Sequence, residues 1–325
     1  MPVITHSTPS RGSYAIWFGS RLLIRPVLKY WPLTAPTMKF LYLVDKTFAV
    51  GPKPKGVVGE PIELAGRPAE YIVPSGPSRR DSDTAVLYLH GGAFVVCGLA
   101  SHRAVASRLS RSTSLPVFSL AYRQLPEAGV GTSVNDTYMA YRELILERGY
   151  RHVVVAGDSA GGFLAPKVAE LAAADGLPGP DAFVGFSPLL DLDLAANPDR
   201  SSRSDAYLPK SKMAELAPMF DQGPIPLRGA RRIADVPSDH MPPTLIINAQ
   251  DEMLEADIIE LVESIDADGG IAVCHRFRWQ VHAFPVLNAR HPESLEAIAL
   301  AADFIEEAVR SAKATRYDAA RDHAG

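Results

Sequence analysis

Beyond residue 56 the chain alternates short apolar runs with longer segments whose apolar positions recur every three to four residues. Residues 84–90 (TAVLYLH), 116–122, 152–157, 182–187, 244–249 and 271–277 are the short runs. Such runs suit strands buried on both faces of a parallel sheet. Residues 57–64 and 67–73 predict a further strand pair around Gly66. The intervening segments predict helices over 101–112, with Ser101 as N-cap, and over 134–148, 160–174, 255–268 and 293–310. Tyr138, Tyr141, Leu144 and Ile145 share one face of the second of these, and Ile258, Leu261, Val262 and Ile265 one face of the fourth. Alternation of this kind predicts an α/β fold with a doubly wound, mostly parallel sheet. Functional groups then lie just past the carboxyl ends of the strands.

Two stretches break the alternation. Residues 195–223 are polar and irregular, except that Met213, Leu216, Ala217 and Phe220 fall on one helical face. That face could wall a pocket or simply pack. The first 51 residues form the other stretch. Residues 15–30 mix aromatic and aliphatic groups with Arg21, Arg25 and Lys29. A cap or core element is the favoured reading, an interfacial anchor the alternative. Trp17, Trp31 and Phe40 could line the same pocket from this side. The polar tail from residue 311 is expected to fray.

Composition narrows the class. The 325 residues are 47% hydrophobic and 22% charged, enough to form a core and to exclude disorder as the main state. Thirty-three basic against 37 acidic residues leave a net charge of −4, which offers no global attraction for nucleic acid. Cys97 and Cys274 are too few for a disulfide scaffold or a cysteine-based zinc site. No apolar run is long enough to span a membrane, and Arg21 and Arg25 interrupt the best signal-like stretch. A cytoplasmic or peripherally cell-associated protein is expected, with peripheral membrane association and a homodimer left open.

The chemistry sits after the strands. Gly157-Asp158-Ser159-Ala160-Gly161 follows the 152–157 strand and precedes an Ala-rich helix, the context of a nucleophile elbow that exposes a serine hydroxyl. His90-Gly91-Gly92-Ala93-Phe94 follows the 84–90 strand, and its glycines allow backbone N–H groups to face a reacting centre. Gly91, Gly92 and Ala160 are the expected oxyanion donors. A serine needs a base and the base an orienting acid. Gln250-Asp251-Glu252 and the loop ending in His282 each follow a further strand. Ser159, Asp251 and His282 thus occur in the α/β-hydrolase order. Asp251 is preferred to its rival Glu252 because it comes first after the strand. His275, inside a strand, His291, before a proline, and His90 are read as structural. Phe94, Asp158, Met213, Leu216 and Phe220 are candidate pocket residues, with Asp158 also able to brace the elbow as Arg123 and Glu127 brace the oxyanion loop. Cys97 is read as a small buried hydrophobe rather than a reactive thiol, and Arg228, Arg231 and Arg232 as a solvated face.

These residues resemble the hormone-sensitive-lipase-like carboxylesterases, bacterial esterase family IV. HGGAF at 90–94 and GDSAGG at 157–162 carry the likeness, and YRQLPE at 122–127, SPLLDL at 187–192 and DEML at 251–254 with Asp257 are similar to further family motifs. The resemblance covers roughly residues 57–310. It implies an eight-stranded α/β-hydrolase core over residues 52–194 and 224–325, under a helical cap made of residues 1–51 and 195–223. It also implies hydrolysis of short- to medium-chain carboxylic esters, or of a lipid ester, with neither metal nor organic cofactor. Two departures stand out: His282-Ala283-Phe284 where H-G-F is usual, and AGVGTSVND at 128–136 where the family has H-P-F-P-A-A-x-x-D. The alternatives are an amidase on the same scaffold, a lipase, and a catalytically retired binding protein of the kind seen in plant gibberellin receptors, which lack the histidine.

Overall fold

The structure, a computed structural model, describes residues 2–49, 54–76, 83–198, 200–287 and 290–322. The expected junction at residues 51 and 52 lies outside the described residues. In chain order the main elements are β1 (Val3–His6), α1 (Arg11–Gly19), a π-helical turn (Ser20–Ile24), α2 (Arg25–Tyr30), α3 (Ala35–Ala49), β2 (Val57–Leu64), β3 (Arg67–Pro74), β4 (Thr84–Leu89), α4 (Leu99–Thr113) and β5 (Val117–Leu120). There follow α5 (Val130–Leu146), β6 (His152–Asp158), α6 (Ser159–Ala174), β7 (Ala182–Phe186), α7 (Lys210–Leu216), β8 (Thr244–Ala249), α8 (Glu255–Ala267), β9 (Ala272–Phe277), α9 (Phe284–Leu287) and α10 (Pro292–Asp322).

The strands form one nine-stranded sheet in the order β1-β9-β8-β7-β6-β4-β5-β3-β2. Pairing is parallel from β1 to β5 and antiparallel only in the β5–β3 and β3–β2 pairs. The strand residues divide by period two between two cores. Ala85, Leu87, Leu89, Val153 and Val155 enter one, and Val86, Tyr88, Val154 and Ala156 the other. Both faces of β4 and β6 are therefore buried, as their unbroken apolar runs require. The hairpin turn between β2 and β3 places Ala65 and Gly66 at φ 49° and 72°. Two left-handed residues in succession match the right-handed twist of the flanking strands.

The expected eighth strand has a ninth beside it. Val3–His6 adds to the edge of β9 in parallel, Val3 opposite Cys274 and His6 opposite Phe277. The N-terminal 51 residues are thus not cap alone, because they begin inside the sheet. Helix α4 starts before its expected N-cap. Gly98 occupies that place, and Ser101, three residues in, accepts the Gly98 N–H at 3.0 Å. Asp45 of α3 accepts the N–H groups of Ala100 and Ser101, satisfying donors that the start of a helix leaves open. The chain continues helically past residue 310 to Asp322, where fraying was expected.

Candidate active site

The elbow forms where β6 passes directly into α6. Ser159 is the first helical residue and has φ 49°, a left-handed conformation that costs a non-glycine residue about 1–2 kcal/mol. Close packing holds it there. A Cβ on Gly161 would lie 2.0 Å from the Leu89 carbonyl oxygen, and one on Gly157 2.6 Å from the Gly161 oxygen. Strand β4 and helix α6 therefore touch backbone to backbone, which brings the loop after β4 beside Ser159. A Cβ on Gly91 would meet the Asp158 carboxylate at 2.2 Å and the Ser159 Cβ at 3.0 Å.

Asp158 is enclosed behind this contact. Its Oδ1 accepts the Tyr88 hydroxyl at 2.8 Å and the Gly91 N–H at 3.1 Å, and His102 Nε2 stands 3.3 Å from its Oδ2. Burial opposes its charge, but His102 and the Tyr88 hydroxyl more than compensate and hold the carboxyl below its ordinary value. His102 is correspondingly raised, with burial opposing and Asp158 favouring its charged form. Asp158 is accordingly a brace of the elbow and not a pocket residue. His90 is also structural: its ring stacks on Tyr122 at 4.4 Å, and its carbonyl accepts the Tyr122 hydroxyl at 2.6 Å. Burial pushes its pKa down to about 4, so the ring stays neutral.

The same network changes the expected set of oxyanion donors. Gly91 N–H already donates to Asp158. The next two residues take left-handed conformations, Gly92 at φ 116° and Ala93 at φ 54°, and among the described residues their N–H groups have no protein acceptor. The second N–H of α6, that of Ala160, lies in the first turn, where no intrahelical acceptor exists. The free donors are thus Gly92, Ala93 and Ala160.

The carboxylate beside His282 is Glu252, one residue beyond the expected Asp251. After β8, Gln250 and Asp251 turn the chain, and Asp251 is left exposed at φ 65° with its N–H held by Glu255 at 2.8 Å. Glu252 turns inward, and its Oε2 lies 3.1 Å from His282 Nδ1. Asp251 therefore does not pair with His282; the preference for the first acidic residue after the strand ignored the turn that the chain makes there. Asp205, buried in the irregular stretch, holds the acid loop by accepting the Met253 N–H at 2.9 Å, while its other oxygen takes the N–H groups of Tyr207 and Leu208. Ser187, at the start of the SPLLDL motif, accepts the Ala283 N–H at 3.0 Å and so ties the histidine loop to β7. Neither Asp205 nor Ser187 was singled out from sequence. The SPLLDL motif was the signal for Ser187; Asp205 sits in a stretch with no periodicity to mark it.

His282 is 4% exposed, with Tyr207 stacked over it at 6.1 Å. Burial disfavours its charged form, but the hydrogen bond and charge of Glu252, with Asp205 and Asp158 beyond, raise its pKa above the ordinary value. Burial also raises Glu252, and His282 opposes that rise. Among the described residues, the Nε2 of His282 is buried without a protein partner. A ring fixed at Nδ1 and open at Nε2 can accept a proton there.

Of the other expected pocket residues, Phe94, Met213, Leu216 and Phe220 are all buried in the same large core cluster. Phe94 is wholly buried and meets Phe220 edge to face at 5.6 Å, with Phe163 at 6.4 Å. Trp17 does not join them but packs on Trp279 at 5.4 Å, and Trp31 stacks on an outward-facing Phe40. The departure at 128–136 has a structural role. A Cβ on Gly129 would lie 1.9 Å from the Gln222 carbonyl oxygen and one on Gly131 2.3 Å from that of Ile225, so these glycines seat residues 220–227 directly on the start of α5. Asp136 holds Arg123 through two side-chain hydrogen bonds of 2.9 and 2.6 Å. The basic cluster lies on a solvent-facing surface and is paired there: Arg231 bridges Asp193 and Asp221, Arg228 binds Asp175, and Arg232 binds Glu260. Cys97 is pushed up to about 12 by burial, which fits an inert thiol.

Comparison with known proteins agrees with this architecture. A family model described as alpha/beta hydrolase fold matches residues 86–286. The chain is 32% identical over 317 residues to the carboxylesterase/phospholipase LipF of Mycobacterium tuberculosis (strain ATCC 25618 / H37Rv), covering 94% of this chain and 84% of that one. It is 33% identical over 256 residues to esterase LipU of the same strain, covering 74% and 82%. Among solved structures, an esterase/lipase from an uncultured bacterium superposes with a TM-score of 0.80 at 25% identity, covering 92% of this chain and 99% of that one. The chain belongs to the α/β-hydrolase fold family, among the carboxylesterases and lipases related to hormone-sensitive lipase.

Proposed function

We propose that the protein is a serine carboxylesterase of short- to medium-chain esters that works through Ser159, His282 and Glu252. The observation that carries this reading is the Glu252–His282 hydrogen bond, which leaves a buried Nε2 unpaired. His282 Nε2 takes the Ser159 proton as the hydroxyl oxygen attacks the ester carbonyl. The tetrahedral oxyanion accepts hydrogen bonds from the N–H groups of Gly92, Ala93 and Ala160. The bond to the alcohol oxygen then breaks, and His282 returns the proton to that oxygen. Water, deprotonated by the same nitrogen, attacks the acyl-enzyme and releases the acid. Glu252 holds the ring orientation and stabilises the imidazolium that forms twice in the cycle. Residues 1–51, apart from β1, and 195–223 act as the cap.

The chain-length range rests on how the apolar residues near the elbow pack. Phe94 and Phe220 meet edge to face at 5.6 Å, and these two and Leu216 are all buried, which favours acyl chains of limited length. A panel of 4-nitrophenyl esters of increasing acyl length tests the reading, with Ser159→Ala as control. The variant is expected to lose about 10⁴-fold or more in kcat. Equal turnover by Ser159→Ala would overturn the assignment of the nucleophile. A second reading, hydrolysis of longer lipid esters, is favoured by the relative named a phospholipase. Faster turnover of emulsified long-chain esters than of soluble short ones would decide for it.

A further inference from the structure

The N-terminal helices present an apolar surface that nothing in the fold covers. Helices α1 and α2, continuous through the π-helical turn, expose Phe18, Leu22, Leu23, Val27 and Tyr30, with Leu22 and Leu23 each 70% exposed and Tyr30 75%. Helix α3 adds Phe40, Leu43 and Phe48. Elsewhere in the described chain exposed large apolar residues are scattered singly, the normal condition of a protein surface, whereas a contiguous patch marks a contact site.

Charge identifies what the patch meets. Residues 1–50 contain six Lys and Arg and a single acidic residue, Asp45, in a chain whose net charge is −4. Arg21 and Arg25 are turned inward onto the carbonyls of Asp205 and Ser202. Arg11, Lys29, Lys39 and Lys46 are exposed beside the apolar residues. Asp45 is engaged in capping α4, so it does not offset them at the surface. Two copies of this face would bring like charges together, which disfavours self-association. A polyanionic, apolar-backed surface answers both features at once. Aromatic and aliphatic side chains enter the acyl boundary, and flanking cations meet the headgroup phosphates. Among the described residues no helix is long and apolar enough to cross a membrane, so the contact is one of lying on the surface.

We infer that the outer face of α1, α2 and α3 docks the enzyme on an anionic lipid bilayer. The inference is independent of which ester is hydrolysed.

The test is co-sedimentation of the full chain with vesicles of phosphatidylcholine and of equimolar phosphatidylcholine and phosphatidylglycerol, at low and high salt. Binding is expected to the anionic vesicles, weaker to the zwitterionic ones, and to fall with salt. The double variant Leu22→Glu/Leu23→Glu is expected to lose about tenfold or more of this binding while its turnover of a soluble short ester stays within about twofold. Lys29→Glu/Lys39→Glu should erase the preference for anionic lipid. No binding to anionic vesicles, or unchanged binding by the leucine double variant, overturns the inference. So does a concentration-dependent dimer that the leucine variant abolishes in the absence of lipid.

Discussion

The elbow and the N-terminal helices are built on opposite terms. Around Ser159 the packing is so close that Gly91, Gly157 and Gly161 have no room for a methyl group, and the polar groups behind them are joined to one another. The helices of residues 11–49 instead bury few of their side chains, among them Ser13, Ser20 and Met38, and leave most of their apolar groups outside. The catalytic end of the sheet is over-determined, as a strained serine requires. The helical layer is held through polar and aromatic contacts, among them Arg21 and Arg25 on Asp205, Trp17 on Trp279, Asp45 on α4, and Ser13 on Gln280 and Glu293. The first region is rigid by packing, while the second leaves its outer face free and touches the loops around Glu252 and His282 through Arg21, Arg25 and Ser13.

Substitutions that press on this contrast should give graded effects. Gly161→Ala should have the largest, since the new Cβ meets backbone that cannot yield; a loss of about 3 kcal/mol, read as a fall in Tm, is expected. Glu252→Gln should leave the fold intact and lower kcat by about 10²–10⁴-fold, as loss of an orienting acid does elsewhere. The pH profile supplies a sign as well. Activity needs neutral His282, so it falls as pH drops through that pKa. Glu252 raises the pKa, so the acid limb of Glu252→Gln should move to lower pH. Asp251→Asn should leave kcat and the profile within about twofold; the reverse pattern would return the acid role to Asp251. Asp205→Ala removes the acceptor of three backbone donors and should cost about 2 kcal/mol in thermal unfolding. It should also shift the acid limb slightly downward, because Asp205 too raises His282. Smallest of all, Leu22→Glu should change stability by no more than about 0.5 kcal/mol, because so little of Leu22 is buried.

Sequence reading succeeded where a physical period or a steric demand marks the residues. The apolar strands of the parallel core, the elbow around Ser159 and the loop carrying His282 were all legible, because two-sided burial and tight turns leave strong patterns. Strand β1 was missed because four residues carry no usable period and its place depends on a partner 271 residues away. The carboxylate that pairs with His282 is Glu252 and not Asp251, because adjacent carboxylates after a strand differ only in which way the turn points them, and Asp251 turns outward at φ 65°. The engagement of the Gly91 N–H was missed because Asp158 had been read without its claim on that donor. Asp205 was invisible for a different reason, since its partners are backbone groups that no side-chain pattern announces.

Gly129 and Gly131 carry a last consequence, for anyone wishing to exchange parts between relatives. Segment 220–227 and the start of α5 are fitted as plug and socket, with the Val130 N–H donating to the Phe220 carbonyl at 2.8 Å between them. A cap transplanted from a homologue with bulkier residues at 129–131 would arrive without its socket, so the two stretches form one unit of exchange although some ninety residues of chain separate them.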